Sequence, residues 1–269
     1  DPAFIKNASV DDTKAALKAA GQTEEFVPVT FTITVVEIGG KTIMFDSGTG
    51  GQTGGPKAGL LMKENLAKAG IDAGKISTIM VTHFHGDHVN GLLTADNELA
   101  FPNAEVLVPA TEWKFWMDDG EMSRASGDRM AGLFKNNRRV FEAGLKKKVT
   151  PYEWGKDIAP GLLSVEAIGH TPGHTSYVLS SGADKVFIQS DVTNDPDLFA
   201  RNPGWHLMFD QDPAQAETTR RQPVYLQPQV LYAAVLHGVD ILRAGHLLQH
   251  LLHPFSQFVQ GIQVRTKHL

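Results

Sequence analysis

The apolar run Ile76-Ser77-Thr78-Ile79-Met80-Val81 passes directly into Thr82-His83-Phe84-His85-Gly86-Asp87-His88, and this junction constrains the chain more than any other stretch. The run is bounded by Lys75 and Gly86 and predicts a buried β-strand. Successive residues of an extended chain alternate faces. His83 and His85 therefore leave the strand end on one side, where two imidazoles can grip one metal ion. Gly86 lets the chain turn, so that Asp87 and His88 point to a second position beside the first. Imidazole and carboxylate are the ligands expected for zinc or a similar divalent ion. A lone histidine more often satisfies a core or surface hydrogen bond. Three histidines and an aspartate within six residues at a strand end are hard to explain as packing.

In this strand and loop context, H-x-H-x-D-H resembles the signature of the metallo-β-lactamase fold superfamily. The resemblance implies an α/β fold, an αββα sandwich of two mixed β-sheets flanked by helices. It also implies two divalent metal ions, zinc foremost, with His83 and His85 on the first ion and Asp87 and His88 on the second. Further elements follow in the family's order. Gly169-His170-Thr171-Pro172-Gly173-His174-Thr175 resembles the T-P-G-H-T motif. The resemblance makes His174 the first ion's third ligand and leaves His170 a supporting, hydrogen-bonding role. Lys185 to Ser190 reads as a strand ending at Asp191, where the family's aspartate bridges both ions. Val230 to Leu236 reads as another strand, with His237 at its end as the second ion's remaining ligand. His246 and His253 are the alternatives, because the family's proline-rich loop does not follow His237. Asp191 and Asp87 are the candidate catalytic carboxylates.

The rest of the chain supplies the frame. Ser9 as N-cap and Asp12 in the capping-box position open a helix that Gly21 ends. Val29 to Ile38 alternates like a strand, Gly39-Gly40 makes a hairpin turn, and Lys41 to Asp46 returns. Asp46-Ser47-Gly48 matches a D-[TS]-G element of the same superfamily. Ser47 to Gly59 is a loop, and a helical pattern over 60–69 stops at Gly70. Ala104 to Val108 is a strand. Ala110 to Asp118 is a helix carrying Trp113, Phe115, Trp116 and Met117. Packing against the sheet accounts for most of these aromatics. An E-x-x-F-W stretch similar to that of the methyl parathion hydrolase branch implies that Phe115 and Trp116 wall a substrate pocket. Glu121 to Lys148 is a charged, mostly helical insertion over the site, and Asp212-Pro213 opens a helix running to Arg221.

No repeat or low-complexity linker appears, so residues 1–269 read as one domain. Its start is late for the family, which implies a short outer edge to the first sheet. Beyond Gly238 the family pattern is absent, and Leu247 to Phe258 falls at the spacing of a helical packing face. The formal net charge of −5 and the lack of a basic stripe argue against nucleic acid and an anionic membrane as partners. The chain has no cysteine, which excludes thiolate nucleophiles and Cys-based zinc sites. No apolar run reaches membrane-spanning length, and Asp1 to Phe4 does not look like a signal peptide. The expectation is a soluble protein, periplasmic or cytoplasmic, with a small-molecule substrate; a homodimer stays open.

The closest resemblance is to the methyl parathion hydrolase and quorum-quenching lactonase branch, through Phe101-Pro102-Asn103-Ala104, Phe115-Trp116 and His170 to Tyr177. It implies a dinuclear hydrolase in which a metal-bridging hydroxide attacks lactones, esters or aryl phosphotriesters. A β-lactam hydrolase is the alternative. It needs a cation for the substrate carboxylate, which a Lys or Arg of the Glu121 to Lys148 insertion would have to supply. A metal-binding protein of the same fold with impaired turnover is the other.

Overall fold

The computed structural model describes residues 4–29, 31–52, 62–142, 145–181, 184–222, 231–232, 239–244 and 262–265. It opens with helix α1 (Val10–Ala19), where the Ser9 side chain accepts from the Asp12 backbone N–H as the capping pattern predicts. Strand β1 (Ile33–Ile38) is shorter than the sequence pattern, since residues 29 and 31–32 stay outside it. Gly39 and Gly40 take φ of +56° and +77°, the left-handed pair a two-residue hairpin requires, and β2 (Lys41–Phe45) returns antiparallel to β1. Then come α2 (Met62–Lys68), β3 (Ile76–Met80), the single-turn α3 (Gly86–Val89), β4 (Glu105–Pro109) and α4 (Ala110–Trp116). The insertion forms α5 (Asp119–Arg124) and α6 (Gly127–Glu142), and β5 (Val149–Tyr152) follows.

The second half contains β6 (Asp157–Ala159), β7 (Leu162–Glu166), β8 (Thr175–Ser181) and β9 (Asp184–Ile188). Helices α7 (Pro196–Arg201) and α8 (Pro213–Arg220) follow, with β10 (Leu231–Tyr232), β11 (Val239–Ala244) and β12 (Ile262–Arg265). Asp212 caps α8, its side chain accepting from the Gln215 N–H ahead of the expected proline. The strands make two mixed sheets, in the orders β12-β11-β1-β2-β3-β4-β5 and β10-β9-β8-β7-β6. The outer edge of the first sheet is therefore extended by strands from the C-terminal region, with β11 parallel to β1.

Strand alternation sorts the core into layers. Val36, Ile43, Phe45 and Met80 face Leu162, Tyr177, Leu179, Val186 and Ile188 between the sheets. On the opposite face of the first sheet, Val35, Met44, Ile79, Val106 and Val108 pack against Leu66, Trp116, Phe134, Val140 and Phe141 from α2, α4 and α6. Two packed sheets with helices outside are the αββα arrangement expected. Strands β2, β3 and β4 run parallel to one another, in that order. Their carboxyl ends meet at one edge, with the loops after β7 and β9 beside them, and there the histidines gather.

Candidate metal centre

The backbone leaves β3 at Met80, and His83 and His85 are buried just beyond it. Three ring nitrogens converge. His85 Nδ1 lies 3.1 Å from His83 Nε2 and 3.0 Å from His170 Nε2. The surrounding hydrogen bonds fix which of these carry protons. Thr82 Oγ1 donates to Asp46 Oδ2 at 2.8 Å and accepts from Ser190 Oγ at 2.8 Å. Its 3.0 Å contact with His83 Nδ1 therefore uses the His83 Nδ1 proton, leaving a bare lone pair on Nε2. His170 Nδ1 donates to Asp210 Oδ1 at 2.8 Å, so its Nε2 is bare as well. His85 Nε2 is buried with no partner among the described residues.

The bare lone pairs of His83 Nε2 and His170 Nε2 both face His85 Nδ1, a convergence that a cation among the three rings would satisfy. Zinc–nitrogen bonds of about 2.0–2.1 Å in a tetrahedral shell place ligand nitrogens roughly 3.3 Å apart, close to the spacing seen. The donor set therefore fits a divalent ion. Burial, together with the neighbouring histidines, holds the His83 and His85 pKa values well below the ordinary imidazole value, so both rings stay neutral and free to coordinate.

A second position adjoins the first. His88 Nδ1 donates to Asp46 Oδ2 at 2.8 Å, which turns Nε2 toward Asp191 Oδ1 at 3.4 Å and Asp87 Oδ2 at 3.5 Å. Burial opposes a charge on His88, but Asp191, Asp46 and Asp87 outweigh it and raise its pKa well above the ordinary value. The other oxygen of Asp191, Oδ2, lies 3.4 Å from His170 Nε2. One carboxylate thus faces both positions. Burial would raise the Asp191 pKa, but His88, His170 and His174 overcome it and keep the group ionised. Asp191 is not at a strand end as the sequence suggested. Strand β9 stops at Ile188, and Asp191 sits in a 3-10 turn, Ser190–Val192, with Ser190 at φ +53°.

His174 lies beside this cluster, its ring centroid 4.9 Å from that of His83 and 5.6 Å from that of His170. Its Nδ1 donates to Ala167 O at 3.0 Å, and its Nε2 accepts from the Asp191 N–H at 3.1 Å. Burial, then the adjacent His170, pushes its pKa down to about 3. His170, for which the resemblance implied a supporting role, brings its Nε2 to within 3.0 Å of His85 Nδ1. Trp116, expected to wall the pocket, has no exposed surface, packs on Phe134 and donates Nε1 to Glu112 at 2.7 Å. Phe115 lies against Trp116 and Phe134. His237 and its alternatives His246 and His253 lie outside the described residues.

Three supporting residues carry more than the sequence revealed. Asp46, at φ +61°, accepts from Thr82 N–H, Thr82 Oγ1 and His88 Nδ1. It thereby ties the end of β2 to both metal positions. Glu112 is fully buried and accepts four hydrogen bonds, from Phe84 N, Trp116 Nε1, Thr171 Oγ1 and Gly173 N. Burial raises its pKa, with those donors pulling the other way. It joins the His83–His85 loop to the His170–His174 loop. Gly173 is required by this contact, since a Cβ there would lie 2.2 Å from the Glu112 backbone nitrogen. Asp210 also meets the buried Arg220, whose guanidinium donates to Val192 O, Pro203 O and Trp205 O.

The centre opens into a cleft of about 470 Å³. His85, Asp87, His170 and Asp191 form its floor, and Phe31, Leu133 and Phe209 supply apolar walls. Among the described residues, no helix is long and apolar enough to cross a membrane.

Known proteins resemble this chain in sequence and in fold. The crystal structure of the hydrolase AbOPH, in the beta-lactamase superfamily, superposes with a TM-score of 0.76 at 24% identity, covering 100% of this chain and 90% of that one. AidC, a dizinc quorum-quenching lactonase solved with a product, gives 0.74 at 21%, covering 99% and 89%. The anti-Pycsar protein Apyc1 of Paenibacillus sp. (strain J14) is 29% identical over 148 residues, 51% of this chain and 54% of that relative. The match thus spans about half the length of that curated relative. The family model for the metallo-beta-lactamase superfamily matches residues 31–234, which include every residue placed in the centre above. The chain belongs to the metallo-beta-lactamase superfamily.

Proposed function

We propose that the protein is a dinuclear, zinc-dependent hydrolase of lactones and esters, with aryl phosphotriesters as a second activity. The observation that carries this reading is Asp191, whose two oxygens face His170 Nε2 and His88 Nε2 separately. His83, His85 and His170 would hold one ion, and His88 and Asp87 the other, with Asp191 shared. Ions held there would supply Lewis acidity and lower the pKa of water toward neutrality.

The chain's own residues do the rest. Asp210 keeps the His170 proton on Nδ1, leaving its Nε2 available, and Asp46 orients His88 so that its Nε2 faces Asp191 and Asp87. Asp87 is about a third exposed on the cleft floor, placed to exchange a proton at its carboxylate with the departing group. Phe31, Leu133 and Phe209 would take the apolar part of the substrate and exclude water from it. AidC, a lactonase by name, shares the fold over nearly the whole chain, which supports lactones as the first class to try.

The test is a side-by-side assay of an acyl-homoserine lactone, an aryl phosphotriester and a β-lactam with zinc-loaded protein. Lactone turnover that disappears with chelator is the expected result. Exclusive turnover of the β-lactam would overturn the substrate assignment.

A further inference from the structure

One face of α6 forms a wall of the cleft. Arg129, Gly132, Leu133 and Asn136 line it at helical spacing, opposite Phe31 and above His85, His170 and Asp191. The arginines of this helix differ in how they are engaged. Arg138 forms ion pairs with Asp119 and Glu142. Arg139 donates to Asn97, Gln52, Asn90 and Asn136. Arg129 has no ion pair among the described residues. Its contacts are long ones to Met208 O at 3.5 Å and Phe209 O at 3.4 Å, with the guanidinium carbon 5.6 Å from the Phe209 ring centroid. The carboxylate of Asp210 in the same loop is already committed to His170 and Arg220. Arg129 is also the one cation among the described residues lining this cleft.

A guanidinium stacked on an aromatic ring is held in orientation while keeping its planar fork of donors for a carboxylate or phosphate. We infer that Arg129 anchors an anionic group of the substrate, a carboxylate set apart from the bond that is cleaved. Esters or lactones bearing such a carboxylate are then preferred to their neutral counterparts. The inference rests on the hydrolase reading for the bond that is cleaved, and on the geometry of the α6 wall for the anion. It also supplies from the insertion the cation that a carboxylate-bearing substrate requires.

Two measurements test it. The first compares zinc-loaded wild type with Arg129→Gln and Arg129→Lys on mono-4-nitrophenyl glutarate and 4-nitrophenyl butyrate, which share a leaving group and differ in the distal charge. The ratio of kcat/KM, anionic over neutral, should fall roughly tenfold or more in Arg129→Gln. Arg129→Lys should restore part of it. Equal losses on both esters would show a merely structural role and overturn the inference. The second measurement is calorimetric binding of glutarate and butyrate to the same zinc-loaded proteins. Wild type should bind glutarate more tightly, and Arg129→Gln should lose that margin. If neither ester is turned over, the hydrolase reading fails, and the binding margin alone decides Arg129. No margin in wild type would overturn it.

Discussion

His170 donates a hydrogen bond from Nδ1–H to Asp210, 2.8 Å away, and so presents Nε2 to the place where His83 and His85 converge. A carboxylate behind a ligand histidine fixes its tautomer and ring orientation, and losing such a partner typically weakens metal binding about 10- to 100-fold. Asp210→Ala should weaken zinc by that order in a chelator competition. Asp210→Asn, which can still accept the Nδ1 proton, should recover most of it. Equal zinc affinity in wild type and Asp210→Ala would show that the pair serves only the packing around Arg220.

The two histidines of the Gly169 to Thr175 loop should behave differently. His170→Ala should lose about one zinc per chain by elemental analysis, together with turnover. His174→Ala should retain metal but unfold at lower temperature, because it frees the Ala167 carbonyl and the Asp191 N–H inside the protein. The opposite pattern would make His174 the ligand, as the sequence resemblance implies.

Glu112→Gln keeps the shape of the side chain but turns an amide NH2 toward donors. All four of its partners are N–H or O–H groups, so one oxygen's pair is left facing a donor. Each unsatisfied buried group costs roughly 1–3 kcal/mol. A loss of about 2–5 kcal/mol in denaturant unfolding is expected. A change below about 0.5 kcal/mol would mean the network is not needed to hold the two loops together.

Trp116 and Phe31 separate packing from substrate contact. Trp116→Ala should cost about 3–5 kcal/mol of stability as a large core truncation. Phe31 is 36% exposed and lines the cleft. Phe31→Ala should raise KM for an acyl-homoserine lactone several-fold with little change in melting temperature. A Phe31→Ala variant with wild-type KM would remove that residue from the pocket.

The elements that the sequence revealed best are those whose signal is local. The strand before His83, the hairpin at Gly39-Gly40 and the caps at Ser9 and Asp212 all depend on neighbours in the chain, and all appear. His83, His85, Asp87 and His88 fall together because one strand end delivers them. His170 and His174 are alike in type and only four residues apart. What separates them is Asp210, which is forty residues further along, and no local pattern conveys it. The burial of Trp116 was hidden for a related reason: an aromatic pair on a helix gives no sign of which face the sheet covers. Glu112 stood in the same E-x-x-F-W stretch, but its four partners come from three separate segments.

The most direct test of the account is anomalous scattering at the zinc edge from crystals of the zinc-loaded protein. Two peaks are predicted, one among His83 Nε2, His85 Nδ1 and His170 Nε2, the other at His88 Nε2 and Asp87, with the Asp191 carboxylate between them. A peak on His174, or no peak among the His83, His85 and His170 rings, would contradict it.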